Sequence, residues 1–403
     1  MDSKVLNCKN DFPIFKNQSI AYLDTASTSQ KPQNVINAVS HFYQNYNANV
    51  HRGLYPWAEK ATSDYESARH KIADYISAQN DELIFTKGTT ESINFIASAW
   101  GRKNITKNSS IVITEMEHHS NIVPWQIISQ ETGAELRYVP ISSDGELNLD
   151  NISKIIDDST KIVAVTHQSN VFGTINPIES IICEAHRKGA LVLIDAAQSI
   201  AHQTINVKDI NCDFLVFSGH KMLGPAGTGC LYAKKEILND LDPYQTGGQM
   251  INQVNTNNST WNELPFRFEA GTPNLEGVIG LGAAIDYIKK IDIINIKSHN
   301  DIIRKYCLDQ MKKIKGLKIY GHTTDNTGPV ISFNIKGIQS YDLSQLLAQQ
   351  NIYIRSGHHC AQPIMRKLNI DSSNRASLYI YNDLEDIDKF IIGIKKSVKM
   401  LID

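Results

Sequence analysis

FLVFSGHKMLGPAGTG, from Phe214 to Gly229, is the stretch on which the reading of the whole chain turns. Phe214 to Phe217 is an uninterrupted apolar run suited to a buried strand, and the glycines after Ser218 let the backbone turn sharply around something. Lys221 comes directly off that strand. In a partly desolvated crevice its amine would have a lowered pKa and act as a nucleophile or base. On this stretch alone a solvated loop lysine fits equally well. Working outward, ELIFT, SIVIT, ELRYV, KIVAVT and ALVLID are short β-branched or apolar runs of the same kind, most of them separated by segments of helical period and length. The alternation predicts a doubly wound α/β domain with a largely parallel sheet. Two helices, about Pro32 to Asn47 and Ala58 to Ala78, precede it. A helical stretch from about Asn274 to Lys315, broken near Asp292, follows it. LKIY, VISFNI, IYIR and ASLYI, mixed with helices, then predict a smaller α/β domain. The expected division is an N-terminal arm over residues 1–20 packed on the small domain, a large domain over 21–284 and a small C-terminal domain over 285–403.

Composition narrows the function classes. With 403 residues, 41% hydrophobic, the chain can fill more than one core, since single cores stop growing near roughly 250 to 300 residues. The net charge is -2, with no Lys/Arg run and no basic stripe interleaved with aromatics, so neither nucleic acid nor a membrane surface is an expected partner. No apolar stretch approaches the ~20 residues of a membrane span, and the start, MDSKVLNCKNDF, lacks the apolar run of a signal peptide. A cytoplasmic location is the expectation. The cysteines at positions 8, 183, 212, 230, 307 and 360 show neither paired nor metal-ligand spacing, so no metal site is expected and most read as small buried apolar residues. Cys360, in RSGHHCA, alone has unusual neighbours.

In an open α/β sheet, ligands bind beyond the carboxyl ends of the strands. KGTTESIN follows ELIFT and would set backbone N–H groups, a helix dipole and hydroxyls around a phosphate, although a threonine is also an ordinary helix cap. EMEHHSN follows SIVIT, HQSNVFGT follows KIVAVT, Asp195 and then Gln198 follow ALVLI, and His220-Lys221 follow FLVFS. A strand-end aspartate, a strand-end lysine, a phosphate cradle and a histidine together are what pyridoxal phosphate needs. The lysine forms the Schiff base, the carboxylate keeps the pyridine nitrogen protonated, and the cradle holds the phosphate. A nicotinamide site would want G-x-G-x-x-G after the first strand, and none is present there.

These motifs, together with AYLDTAS, VHRGLYP, EMEHHSNIVPW, THQSNVFGT, LIDAAQS, RFEAGTPN and RSGHHCAQP in that order along nearly the whole chain, resemble the Suf-type, group II cysteine desulfurases, a branch of the class V aminotransferase-like enzymes of PLP fold type I. The resemblance implies a homodimer with its active site at the subunit interface. It also implies conversion of L-cysteine to L-alanine with sulfur left on an enzyme cysteine, transfer of that sulfur to an acceptor protein serving an iron–sulfur scaffold complex, and side activity on L-selenocysteine. Carried over by motif, Lys221 matches the Schiff-base lysine, Asp195 the partner of the pyridine nitrogen, Gln198 the contact to the ring oxygen and His118 the stacked, proton-transferring imidazole, with His119 structural. Thr90, Ser218 and His220 match phosphate ligands, and Thr272 one supplied by the other subunit. Asn170 and Arg375 match ligands of the substrate carboxylate, Arg375 with the fork such recognition favours. His51, Arg52 and Arg355 line the same pocket in the family. Cys360 matches the sulfur acceptor, an arginine and two histidines beside it favouring thiolate. Second readings stand beside three of these: a turn residue for Asn170, a strand-end contact for His220, a strand-edge charge for Arg375. A transaminase or selenocysteine-specific lyase, and a non-catalytic scaffold on the same fold, are the competing functions.

Overall fold

In the computed structural model, which describes residues 5–16, 18–321 and 326–402, Phe214–Ser218 is a strand buried along its whole length. Its alternate side chains feed two cores. Phe214 and Val216 pack with Leu193, Ile162 and Ile111 on one face, and Leu215 and Phe217 with Val192, Val163 and Val112 on the other. A strand covered on both faces requires a continuous apolar run rather than an alternating one. The sheet has seven strands, β1 Leu83–Thr86, β2 Ser110–Thr114, β3 Glu135–Val139, β4 Thr160–Thr166, β5 Leu191–Asp195, β6 Phe214–Ser218 and β7 Gly229–Ala233. Their spatial order is β1-β7-β6-β5-β4-β2-β3. Neighbours from β6 to β3 pair in parallel, whereas β7 runs antiparallel to both β6 and β1. The sheet is therefore mostly parallel, as the alternation predicts.

β7 is not among the predicted strands. It opens on Gly229, where a Cβ would come within 2.5 Å of the Gly88 Cα, so its first position serves close backbone packing and carries no strand-forming side chain. The hairpin Ile251–Val254 and Ser259–Trp261 is likewise unforeseen. The break in the long helical stretch falls at Asp292, between helices Leu275–Ile291 and Ile293–Met311; its φ is +75° and its side chain accepts the Ile294 N–H.

A second sheet, antiparallel throughout, comprises β8 Leu317–Tyr320, β9 Val330–Ile335, β10 Arg355–Gly357 and β11 Ser373–Ser377 in the order β8-β9-β11-β10. Two predicted strands are corrected here. IYIR divides, because Ile352–Tyr353 pairs in parallel with Ala21–Tyr22 while Arg355–Gly357 pairs with β11. ASLYI is displaced toward the N-terminus: the ladder ends at Ser377, and Tyr379 leaves it because its N–H donates to the Asn382 side chain. Leu23 enters the core beneath this sheet with Ile303, Phe333 and Phe390, so Ala21–Leu23 joins the C-terminal layer although the large domain is expected to begin at residue 21. Met1 to Lys4 and Asn17 of the expected arm lie outside the described residues. Of the rest, Lys9 pairs with Asp386 at 2.6 Å and Phe12 packs edge-on to Tyr287 and Tyr381.

Candidate active site

Because β1, β2, β4, β5 and β6 run in one direction, the residues following them meet at one edge. They line a cavity of about 240 Å³, to which the second sheet contributes Arg355 and Arg375 and the turn after Arg355–Gly357 contributes His359. Lys221 ends the short turn Gly219–Lys221 after β6. The carbonyl of His220, in the peptide that precedes it, accepts the Ser29 N–H at 2.9 Å and the Lys31 ammonium at 3.1 Å, which fixes where the lysine starts. Burial lowers Lys221 to about 8, against the pull of Asp195. Its amine makes no hydrogen bond within the described residues. Asp195, which lines the cavity, accepts the Ala197 N–H at 2.9 Å on one oxygen, and its other oxygen has no hydrogen-bond partner among the described residues. Burial pushes its pKa up, and the Ala197 N–H and Lys221 hold it down.

His118 caps the turn that follows it. Its Nδ1 accepts the Ser120 N–H at 3.1 Å, which puts the ring proton on Nε2. Burial, then Lys221, pushes it down to about 3, so the imidazole is neutral. Beneath it the fully buried Glu117 accepts from Thr114 at 2.7 Å, Asn121 at 2.7 Å and the Thr166 N–H at 2.9 Å, tying the ends of β2 and β4 together. Burial raises Glu117 to about 8 against those donors.

Across the cavity the helix Thr89–Ile96 starts from Gly88, whose φ is +147°, and the Thr89 N–H donates to Ser218 Oγ at 2.9 Å. A Cβ on Gly88 would approach that hydroxyl to 3.0 Å, so glycine lets the two segments close. Thr90, Ser218 and His220 surround the helix N-terminus, an arrangement suited to an anion. His220 is lowered to about 4, chiefly by burial.

At the opposite wall Gln198 donates to the Ala26 carbonyl at 2.9 Å and Asn170 to the His359 carbonyl at 2.7 Å. Arg375, fully buried, donates from Nη1 to the Asn170 carbonyl at 3.0 Å and from Nη2 to Ser27 Oγ at 2.8 Å and Asp24 at 3.1 Å, while its Nε has no partner. Arg355 donates to Ser27 Oγ at 3.0 Å and to Cys360 Sγ at 3.7 Å. Cys360 and His359 adopt successive left-handed conformations, φ +55° and +53°, which non-glycine residues hold only when the surroundings enforce them. The enforcement is visible. The Cys360 carbonyl accepts the His119 N–H at 2.8 Å, the His119 ring accepts the Gln362 N–H at 3.0 Å, and His359 Nε2 lies 3.0 Å from the Ser373 carbonyl. Elsewhere in the fold, burial pushes the Cys212 and Cys307 thiols up to about 12.

Three predicted site residues stand apart within the single chain. His51 packs on Tyr65 and Phe266 with Nε2 3.5 Å from Glu66, Arg52 is exposed, and Thr272 lines a neighbouring cleft with Lys87 and Glu269. In the other direction, Asp24, Ser27, Gln168 and His359 belong to the site without having been assigned to it. For Asp24 and Ser27 a signal existed, polar residues directly after a strand-like piece in AYLDTAS.

The sequence pattern of the family described as aminotransferase class-V matches residues 21–390. A protein of Halalkalibacterium halodurans named probable cysteine desulfurase is 45% identical over 394 residues, covering 96% of this chain and 97% of that one. Among solved structures, the apo cysteine desulfurase of Thermococcus onnurineus NA1 superposes with a TM-score of 0.95 at 37% identity over 100% of both chains. A cysteine desulfurase of Escherichia coli does so with a TM-score of 0.92 at 33% identity over 98% of each.

Proposed function

The chain belongs to the aminotransferase class-V family and is a pyridoxal-phosphate-dependent cysteine desulfurase, and on that premise we propose that Cys360 takes the sulfur while Lys221, Asp195 and His118 serve the cofactor. The residues fit pyridoxal phosphate. The Lys221 amine and one Asp195 oxygen, both without a hydrogen-bond partner among the described residues, belong to side chains that line one cavity with a glycine-started helix N-terminus and Thr90, Ser218 and His220, which suit a phosphate. Lys221 would hold the aldehyde carbon, Asp195 the pyridine nitrogen, Gln198 the ring oxygen and His118 a ring face. When bound, the cofactor supplies an electron sink for the charge left as a bond at the substrate Cα breaks.

The chain's own residues supply the rest. Asn170 and Arg375 orient the substrate carboxylate, with the unpartnered Nε of Arg375 as a free donor. Lys221, whose lowered pKa brings the neutral amine within reach near pH 8, accepts the α-proton, and His118 holds a transferable proton on Nε2. The Cys360 thiolate attacks the sulfur of cysteine: the Sγ–S bond forms, the Cβ–S bond breaks, and the carbon fragment keeps the electron pair and takes a proton to leave as L-alanine. The observation that carries this reading is the coupling of Cys360 to the cavity. Its Sγ lies 3.7 Å from Arg355, which lines the cavity together with Lys221 and Arg375. In a second copy of the chain, Thr272, His51 and Arg52 would complete the site across a homodimer interface. Sulfur then passes to an acceptor protein for iron–sulfur assembly in the cytoplasm, and selenocysteine is a secondary substrate. The test is mass spectrometry of the enzyme after cysteine without reductant. One added sulfur is expected on the Cys360 peptide and no alanine from Cys360→Ala. A persulfide only on Cys8, Cys183, Cys212, Cys230 or Cys307, or full turnover by the variant, overturns the assignment.

A further inference from the structure

We propose that Ser27 is a positioning residue that holds Arg355 against the Cys360 thiol and ties that sulfur-accepting end of the site to the arginine at its carboxylate end. The inference rests on the roles given above to Cys360 and Arg375 and extends them to Ser27, which joins the two arginines.

The need for such a residue follows from strand register. β10 and β11 pair so that Arg355 stands directly opposite Arg375, and like charges opposed on one face of a sheet destabilise the pair. Burial first, and the facing Arg355 guanidinium after it, push the Arg375 pKa down against the pull of Asp24. One carboxylate, Asp24, lies within ion-pair distance of Arg375, and among the described residues none lies within that distance of Arg355. The Ser27 hydroxyl occupies the gap. Its Oγ accepts from Arg375 Nη2 at 2.8 Å and from Arg355 Nη1 at 3.0 Å, and donates its proton to Asp24 Oδ1 at 2.7 Å. An oxygen polarised toward a carboxylate is a stronger acceptor for the two cations, so the influence of Asp24 reaches Arg355 through the hydroxyl.

The contacts are not shared equally. Without the hydroxyl, Arg375 retains Asp24 and the Asn170 carbonyl, whereas among the described residues Arg355 retains only its 3.7 Å approach to sulfur. Ser27 therefore matters mainly at the thiol. Its own place does not depend on its side chain: the Ala26 N–H donates to Ser377 Oγ at 2.9 Å, and the Ser377 N–H to the Leu23 carbonyl at 2.8 Å, so the segment stays docked on β11. Ser27→Ala is expected to fold and to bind cofactor.

The experiment compares wild-type and Ser27→Ala holoenzyme at neutral pH with two readouts that need no turnover. The first is the rate of iodoacetamide labelling at Cys360, measured by peptide mass spectrometry against the exposed Cys183 as internal reference. The ratio of the two rates should fall about fivefold, the scale of one partly screened charge contact. The second is affinity for L-alanine, which carries the carboxylate but no sulfur, followed through the cofactor absorbance. It should stay within about twofold of wild type, since Arg375 retains its other partners. An unchanged labelling ratio overturns the proposal, and so does a loss of alanine affinity as large as the loss of labelling. Arg355→Ala should reproduce the slower labelling. If it does not, the proposal also fails, while the persulfide measurement judges Cys360 as sulfur acceptor independently.

Discussion

Glu269→Gln tests how firmly the RFEAGTPN segment is fixed. Arg69 has no solvent exposure and is clamped by Glu269 through paired contacts of 2.7 and 2.8 Å. The same carboxylate accepts the Phe85 N–H at 2.9 Å and the Tyr65 hydroxyl at 3.2 Å. Removing one partner of a buried pair costs about 3 to 5 kcal/mol, because the other charge is left uncompensated. Two features put this case at the low end. Glutamine keeps one oxygen, which can still accept the Phe85 N–H while the Tyr65 hydroxyl turns to accept from the amide, and Glu66 still meets Arg69 Nε at 2.8 Å, although its side chain is one-third exposed. We expect a loss of about 3 kcal/mol, a factor of about 150 in the folding equilibrium. In urea, with a slope near 3 kcal/mol/M for a chain of this size, the midpoint read by tryptophan fluorescence should fall by about 1 M with the slope unchanged. Arg69→Met combined with Glu269→Met should be less destabilised than the sum of the single variants by about 2 kcal/mol, since the double change leaves no buried charge alone. A midpoint shift under about 0.3 M, or additive single effects, would refute the reasoning.

Lys221→Ala should fold normally, lose the absorbance of lysine-bound cofactor and show no turnover; normal turnover would remove Lys221 from the mechanism. Asp195→Ala should retain cofactor on dialysis yet lose most of its alanine production, because an unprotonated pyridine is a poor electron sink; an unchanged rate would reduce Asp195 to a strand-end carboxylate. Since burial lowers Lys221 to about 8, the apoenzyme amine is protonated below that pH and unreactive. Cofactor uptake, followed by stopped-flow absorbance, should rise about tenfold per pH unit toward 8 and then level off. A rise continuing toward the ordinary lysine range would show that the amine is not desolvated.

How much of this protein was legible beforehand depends on the range of the interaction concerned. The runs SIVIT, KIVAVT, LVLID and FLVFS are apolar on both faces, a local property that marks buried parallel strands, and parallel strands must present their carboxyl ends at a common edge. His118, Asp195 and Lys221 could therefore be placed together at that edge, each being a reactive side chain at or shortly after the end of such a run. The chain order alone does not determine which distant segments meet. Pairing of Ala21–Tyr22 with Ile352–Tyr353 brings Asp24 and Ser27 to the arginines, and that contact depends on closing most of the chain into a loop. The facing of Arg355 with Arg375 is a matter of register, in which a one-residue slip would turn each side chain to the other face. The left-handed backbone at His359 and Cys360 has no signature in those residue types and exists because His119, Asn170 and Ser373 hold it from elsewhere in the fold.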